Sequence, residues 1–204
     1  MFDNVREDLR RALSGNQHAT GAGALARELL NPGTQAVLVY RLGKWIDGVR
    51  VPILRHVMKV ACMLLQYLVS WRMGIFIPVK ADIGPGLLIH TWGGGIFLPA
   101  TKIGRNLTII GGGVQMDYET REIGDDVSIA PGTKTIGKLR IGHRARTGPN
   151  SVVQTDVPDD CVVIASQGRV IGPVPKLTYE QGAKRIDPKA KSDTRQDTPT
   201  EEKA

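Results

Sequence analysis

Cysteine is scarce in this chain: Cys62 and Cys161 are the whole complement of a 204-residue sequence. One lies in an apolar helical stretch and one near the end of a repeat, which argues against a disulfide framework and fits a reducing cytoplasm. Histidine is nearly as rare, with four residues, and neither residue type has the spacing of metal ligands. The first residues include Asp3, Glu7 and Asp8 with no apolar core, so they do not read as a secretory signal. No nucleic-acid motif accompanies the net charge of +7. Asp and Glu are mixed with Lys and Arg, which directs the excess toward a phosphate-rich cofactor or an acidic polysaccharide rather than nucleic acid. The run Gly111-Gly112-Gly113 lacks the Gly-Lys-Ser/Thr ending of a phosphate loop.

What the chain does have is a repeat. Branched aliphatic residues stand at Ile77, Ile83 and Ile89, then with one extra residue each time at Ile96 and Ile103, then at Ile109. After a break over 111–121 the six-residue step resumes at Ile123 and runs through Ile129, Thr135, Ile141, Thr147 and Val153. A step of six fits neither a helix nor a long alternating strand, but suits short strands joined by tight corners. Repetition at this period predicts a parallel β-helix, with Ile-Gly at 83–84, 103–104, 123–124 and 141–142 turning corners through glycine's conformational freedom. A β-sandwich with glycine-rich turns has no reason to keep such a frame. The length allows one good core plus an appendage.

Before the repeat, spacing predicts helices over 3–13, 24–30, 34–47 and 52–73, the third ending at Gly48 and the fourth starting at Pro52. The fourth is apolar over 60–69 except for Gln66, yet Arg55, His56 and Lys59 leave it short of a membrane span. Two readings remain for it: peripheral contact with a membrane surface through residues 51–73, or burial against neighbouring helices or the β-helix end. Burial is the expectation, because the apolar residues are not confined to one stripe. The organisation expected is a helical region over 1–74, a β-helix over 75–172 and a C-terminal extension over 173–204. Beyond Glu180, where aliphatics nearly vanish, the extension reads as disordered.

The hexapeptide frame, the Gly111-Gly112-Gly113 segment, and the closing Gly148-Pro149-Asn150-Ser151-Val152-Val153 followed by Val157-Pro158-Asp159 resemble the left-handed β-helix acyltransferases. With helices placed before the coils, the chain is most similar to serine acetyltransferases and the related acetyltransferases of exopolysaccharide clusters. The resemblance covers approximately residues 37–171. It implies left-handed winding, where crossover chirality alone predicts the opposite hand. It also implies a homotrimer, and acetyl-CoA as donor, bound in a groove between coils of adjacent subunits.

Acetyl transfer from a thioester to a hydroxyl needs a base, a cleft and donors for the oxyanion. His18 lies in an early loop, His56 among basic helical residues and His143 directly after an Ile-Gly corner. His90 differs, sitting in Ile89-His90-Thr91-Trp92-Gly93-Gly94-Gly95-Ile96, where a glycine run lets a ligand approach the backbone. The resemblance puts the family's catalytic histidine in this coil. Aligned without gaps, however, the family's Asp-His pair falls on His90-Thr91, and a one-residue shift turns a side chain to the other face. The family's second histidine, in a Gly-Gly-Asp-Arg-His-Pro loop, has no counterpart in the shortened 115–121 segment, where Asp117 or Glu119 is left to orient His90 or bind an acceptor. For coenzyme A, the matching coils offer Gly112, Gly113, Ala130, Gly132, Lys134, Arg146 and, at the family's closing position, Arg169, with Arg144 nearby. The expected activity is acetyl-CoA-dependent O-acetyl transfer with His90 as base and Asp117 beside it. A saccharide hydroxyl in glycan assembly is placed ahead of free serine, because the second histidine is missing. A non-catalytic structural or regulatory trimer is the reading from another class.

Overall fold

Four helices precede a stack of short parallel strands in the computed structural model, which describes residues 2–14, 22–90, 94–98 and 102–165. The extension over 173–204 lies outside the described residues. Helix α1 spans Phe2–Ser14, α2 Ala22–Leu29, α3 Pro32–Asp47 and α4 Pro52–Met73. Asn31 both follows α2 and caps α3, its side chain accepting from the Gly33 amide at 3.0 Å, with Pro32 in the first turn. Gly74, at φ 64°, closes α4 and turns the chain into the solenoid.

The coils repeat one route across three faces. Strand β1 is Ile75–Phe76; the next coil carries β2 (Asp82–Ile83), β3 (Leu88–His90) and β4 (Ile96–Phe97). β5 (Lys102–Ile103) and β6 (Thr108–Ile110) follow, with Gln115 supplying the third side as an isolated bridge between Phe97 and Lys134. Then come β7 (Glu122–Ile123), β8 (Ser128–Ile129), β9 (Lys134–Thr135), β10 (Arg140–Ile141), β11 (Arg146–Thr147), β12 (Val152–Val153) and finally β13 (Val162–Val163). All pairings are parallel: β2-β5-β7-β10 form one face, β3-β6-β8-β11-β13 a second, and β1-β4, Gln115 and β9-β12 the third.

The predicted inward frame forms the core: Ile77, Ile83, Ile89, Ile96, Ile103, Ile109, Ile123, Ile129, Ile141 and Val153 are buried in one cluster. Each such side chain contributes about 1.5–3 kcal/mol on burial. The two threonines that interrupt the frame are buried and satisfied. Thr147 Oγ1 accepts from the Ala130 amide at 3.0 Å and pairs with Thr133 Oγ1; Thr135 Oγ1 accepts from the Asp117 amide at 2.8 Å and pairs with Thr120 Oγ1. The break is also shorter than the sequence suggests, because Val114 and Met116 enter the core on either side of Gln115.

One expectation about the corners is corrected. Gly84, Gly104, Gly124 and Gly142 are absent from the positive-φ positions among the described residues. They are needed instead because successive corners touch: a Cβ on Gly124 would lie 2.7 Å from the His143 nitrogen. The left-handed positions fall next door, at Gly86, Asn106, Asp126, Arg144 and Asp160, where Asn and Asp tolerate the conformation and Arg144 is held by Asp160 at 2.6 Å.

The helices are fastened to the first coil by a buried ion pair. Asp8 of α1 accepts from Arg41 Nε of α3 at 2.8 Å and from the Gly86 and Leu87 amides, while Arg41 donates to the carbonyls of Ile83 and Gly84. Tyr40 donates to the Ala81 carbonyl and accepts from the Ile83 amide, and burial pushes its phenol up. Helix α4 departs from expectation. It packs along one side only, with Cys62 and Val69 as its buried residues. It also meets the length and composition of a membrane span: an 18-residue stretch within its 22 residues reaches a mean hydropathy of 1.3 with no more than two charged residues.

Candidate active site

β3 sets His90 through its own alternation and through a helix laid against it. Ile89 is buried at 2% exposure and His90 is exposed, so the imidazole points away from the solenoid interior. Gly33, at the start of α3, sits so close to the Ile89 carbonyl that a Cβ would overlap it. The backbone of His90 is fixed from the next coil, where the Gly111 amide donates to its carbonyl at 2.7 Å and His90 registers with Ile110. Thr91, the position to which the ungapped family frame points, lies outside the described residues.

From His90 the chain turns onto the third face, whose outward residues form a ladder of unusual character. Phe76 stacks on Phe97 with centroids 5.4 Å apart, and Tyr118 meets Phe97 edge-on at 5.2 Å. Gln115 and Lys134 continue the ladder. Two adjoining grooves run over it. One of about 540 Å³ is lined by Ser70, Phe76, Phe97, Gln115 and Lys134; the other, about 450 Å³, by Phe97, Asp117, Tyr118 and Lys134.

The hydrogen bonds that Asp117 makes are to groups other than His90. His90 stands where the second face turns into the aromatic one, and Asp117 where the aromatic face leaves toward β7, one coil further on. Its carboxylate is already engaged, Oδ2 accepting from the Gly137 amide at 2.8 Å and Oδ1 from the Glu119 amide at 3.2 Å. These amides, Gly137 first, hold the Asp117 carboxyl below the usual carboxylate range. It staples a loop and carries its charge at neutral pH. The half-buried ring of His143 is likewise tied in, Nδ1 accepting from the Asp125 amide at 3.0 Å.

The residues expected to hold coenzyme A divide sharply. The Ala130 amide donates to Thr147 and its carbonyl accepts from Thr133. Gly132 lies at φ 73° against Asn150, and its amide donates to the Gly112 carbonyl at 3.0 Å. Gly113 lies at φ 75° and donates to the Gly94 carbonyl. Their glycines form a left-handed column at one corner, through Gly95, Gly113, Gly132 and Asn150, and Gly95 and Gly113 also line the larger groove. Lys134 is exposed over the aromatic grooves, Arg146 is exposed on the His90 face, and Arg169 lies outside the described residues. Sequence reasoning missed the aromatic ladder altogether. Its signal was Phe76 and Phe97 directly before Ile77 and after Ile96, where the frame requires outward residues. Among the described residues no group of His, Cys, Asp and Glu is arranged to hold a metal ion.

No family model matches the sequence. Similarity to individual proteins is extensive. The serine acetyltransferase of Synechococcus elongatus is 30% identical over 194 residues, which is 92% of this chain and 72% of that protein. The serine acetyltransferase of Helicobacter pylori is 30% identical over 149 residues, 70% of this chain and 83% of that protein. Among solved structures, the Neisseria gonorrhoeae serine acetyltransferase in complex with serine superposes with a TM-score of 0.64 at 25% identity, covering 81% of this chain and 67% of that one. The Brucella abortus enzyme in complex with coenzyme A gives 0.60 at 21% identity over 84% of this chain and 67% of that one. The fold is therefore a left-handed parallel β-helix behind a helical N-terminal part.

Proposed function

This chain belongs to the serine acetyltransferase family, an acyltransferase family of hexapeptide-repeat solenoids, and from that premise we propose that it transfers acetyl from acetyl-CoA to the hydroxyl of free serine. The observation that carries the reading is similarity running through both the helical part and the coils. It reverses the order expected from the missing second histidine, which had set a saccharide first, and it displaces the non-catalytic reading.

In the proposed reaction the acceptor oxygen attacks the thioester carbonyl carbon while the His90 imidazole takes the hydroxyl proton. The tetrahedral intermediate then collapses, the carbon–sulfur bond breaks, and the imidazolium returns its proton to the departing sulfur, releasing coenzyme A as its thiol. Lys134 and Arg146 are the exposed cations available to its phosphates. His90 stands at one edge of the aromatic face, and the Lys134 groove runs over that face. A homotrimer in which the His90 edge of one copy faces the groove of the next would join them. Two free thiols, Cys62 and Cys161, are consistent with placement in the reducing cytoplasm.

A saccharide hydroxyl, as in exopolysaccharide assembly, is the second reading. The partly exposed Phe76–Phe97–Tyr118 ladder favours it, because aromatic faces stack on sugar rings and a free amino acid needs no such platform. Thiol release from acetyl-CoA, measured with serine and with glycan precursors at equal concentration, separates the two. Turnover on serine is expected; turnover on a glycan precursor with none on serine would establish the second reading instead.

A further inference from the structure

Helix α4 has its polarity turned inside out. The residues that fasten it to the rest of the chain form a polar stripe at helical spacing. Lys59 pairs with Asp47 at 2.6 Å, Cys62 Sγ donates to the Val39 carbonyl at 3.9 Å, Gln66 Nε2 to the Ile77 carbonyl at 2.5 Å, and Ser70 Oγ to the Ile75 carbonyl at 3.0 Å. On the far side Ile53, Val57, Val60, Leu64, Tyr67 and Trp71 fall within roughly a quarter of the helix circumference. All six are exposed, from 54% at Val60 to 79% at Trp71. The outward strip holds no charged residue. A soluble helix places these two sides the other way round.

Charge indicates what covers the strip. No acidic residue occurs between Asp47 and Asp82, whereas Arg50, Arg55, Lys59, Arg72 and Lys80 do. The one acid at the border, Asp47, is taken by Lys59. A second copy of the chain docked strip to strip across a two-fold axis would set these cations against their own equivalents. An anionic lipid surface meets both the apolar strip and the basic surroundings, and Tyr67 and Trp71 are the residue types that settle at headgroup level. The helix is long enough to cross a bilayer. Its polar stripe, though, is bonded along its length to α3 and the first strand, so a crossing would drag the solenoid into hydrocarbon. Lying in the plane requires no such rearrangement.

We propose that α4 is a membrane-docking element whose outward strip enters the headgroup–acyl boundary of an anionic bilayer while its inner stripe stays attached to the solenoid. The strip then sits about 5–10 Å into the boundary region, held by apolar burial plus attraction to anionic headgroups. This inference stands apart from the choice of acceptor and holds for either.

Vesicle flotation with the full chain tests it, using phosphatidylcholine alone and phosphatidylcholine mixed with phosphatidylglycerol. The protein is expected to float with the mixed vesicles, to bind phosphatidylcholine alone far less, and to be released by high salt. The double variant Leu64→Glu/Trp71→Glu adds charge only at exposed positions. It should lower the bound fraction roughly tenfold or more with an unchanged circular dichroism spectrum and unchanged thiol release. A wild-type chain that floats with neither vesicle overturns the proposal, as does a double variant that floats like wild type. Light scattering without lipid decides for the competing occupant. An assembly that dissociates in the double variant, with no flotation by wild type, makes the strip a chain–chain interface.

Discussion

Behind the face of β2-β5-β7-β10 stand Ile83, Ile103, Ile123 and Ile141; behind the aromatic face stand Leu98, Met116, Thr135 and Val153, all buried. Outside, the two diverge. The first presents Asp82, Lys102, Glu122 and Arg140, with Glu122 shared between Lys102 at 3.3 Å and Arg140 at 3.7 Å. The second presents Phe76, Phe97, Gln115, Lys134 and Val152 under open grooves. Equal interiors mean that both faces are held up alike, so the outward residues are under separate demands. Exposed ion pairs are worth about 0–1 kcal/mol and mainly keep a face in water. Rings left partly exposed forgo burial that a binding partner can supply.

The strongest way to break this comparison is to ask which face the chemistry needs. With His90 as base at the edge of the aromatic face, His90→Ala should lower turnover by about 10²–10⁴-fold, while Glu122→Gln on the charged face leaves it unchanged. Thiol-release kinetics on both variants decide the matter, and equal losses would erase the functional division between the faces. A smaller effect is expected where the charged face turns toward β8. In Gly124→Ala the new Cβ meets the Gly142 carbonyl carbon at 2.8 Å as well as the His143 nitrogen, both backbone atoms that cannot swing aside. The cost should be about 1–3 kcal/mol in urea denaturation, with m unchanged. No loss of stability would mean that the corners have slack.

Such corners show where the sequence was legible and where it was not. The inward frame could be read because period and residue type report burial directly, and the start of α4 because Pro52 acts locally. The Ile-Gly glycines were recognised but assigned a torsional role, since a sequence does not show which neighbouring coil touches which. Thr135 and Thr147 looked like flaws for the same reason: their partners Thr120 and Thr133 lie 15 and 14 residues away. β3 hides a similar ambiguity. Leu88 and Ile89 are both buried, because α1 and α3 cover the base of that face, and alternation alone cannot then say which way His90 points. Asp117 stands in the loop where the family carries its second histidine, but chain position does not show that its carboxylate accepts from the Gly137 and Glu119 amides.

Weaker still should be the effect of trimming the aromatic ladder. Tyr118→Ala removes the edge contact with Phe97 from a ring that is 66% exposed, so stability should fall by at most about 1 kcal/mol. Its expected signature is kinetic: a higher KM for the acceptor with kcat retained, as for loss of binding shared by ground and transition states. A variant with both constants unchanged would leave the ladder without a role in acceptor binding.

The smallest expected effect lies on the seam between the two faces, at the loop stapled by Asp117. Its carboxyl is held below the ordinary range by the Gly137 and Glu119 amides. A group whose folded pKa is depressed stabilises the fold fully above its unfolded value, about 4 for aspartate, and that contribution disappears as pH falls through the lower folded value. The loop should therefore be indifferent to pH through the neutral range and loosen only in acid. Protection of the Gly137 and Glu119 amides against hydrogen exchange is the direct measure. It should drop below the ordinary aspartate range while amides bonded to backbone carbonyls, such as Gly124 to Ile141 at 2.8 Å, keep theirs. Asp117→Asn retains an acceptor oxygen but no charge, so its protection should be lower at neutral pH and lose the acid-dependent step. If the step survives in Asp117→Asn, another carboxylate governs the loop. The seam would then belong electrostatically to the charged face rather than to the aromatic one.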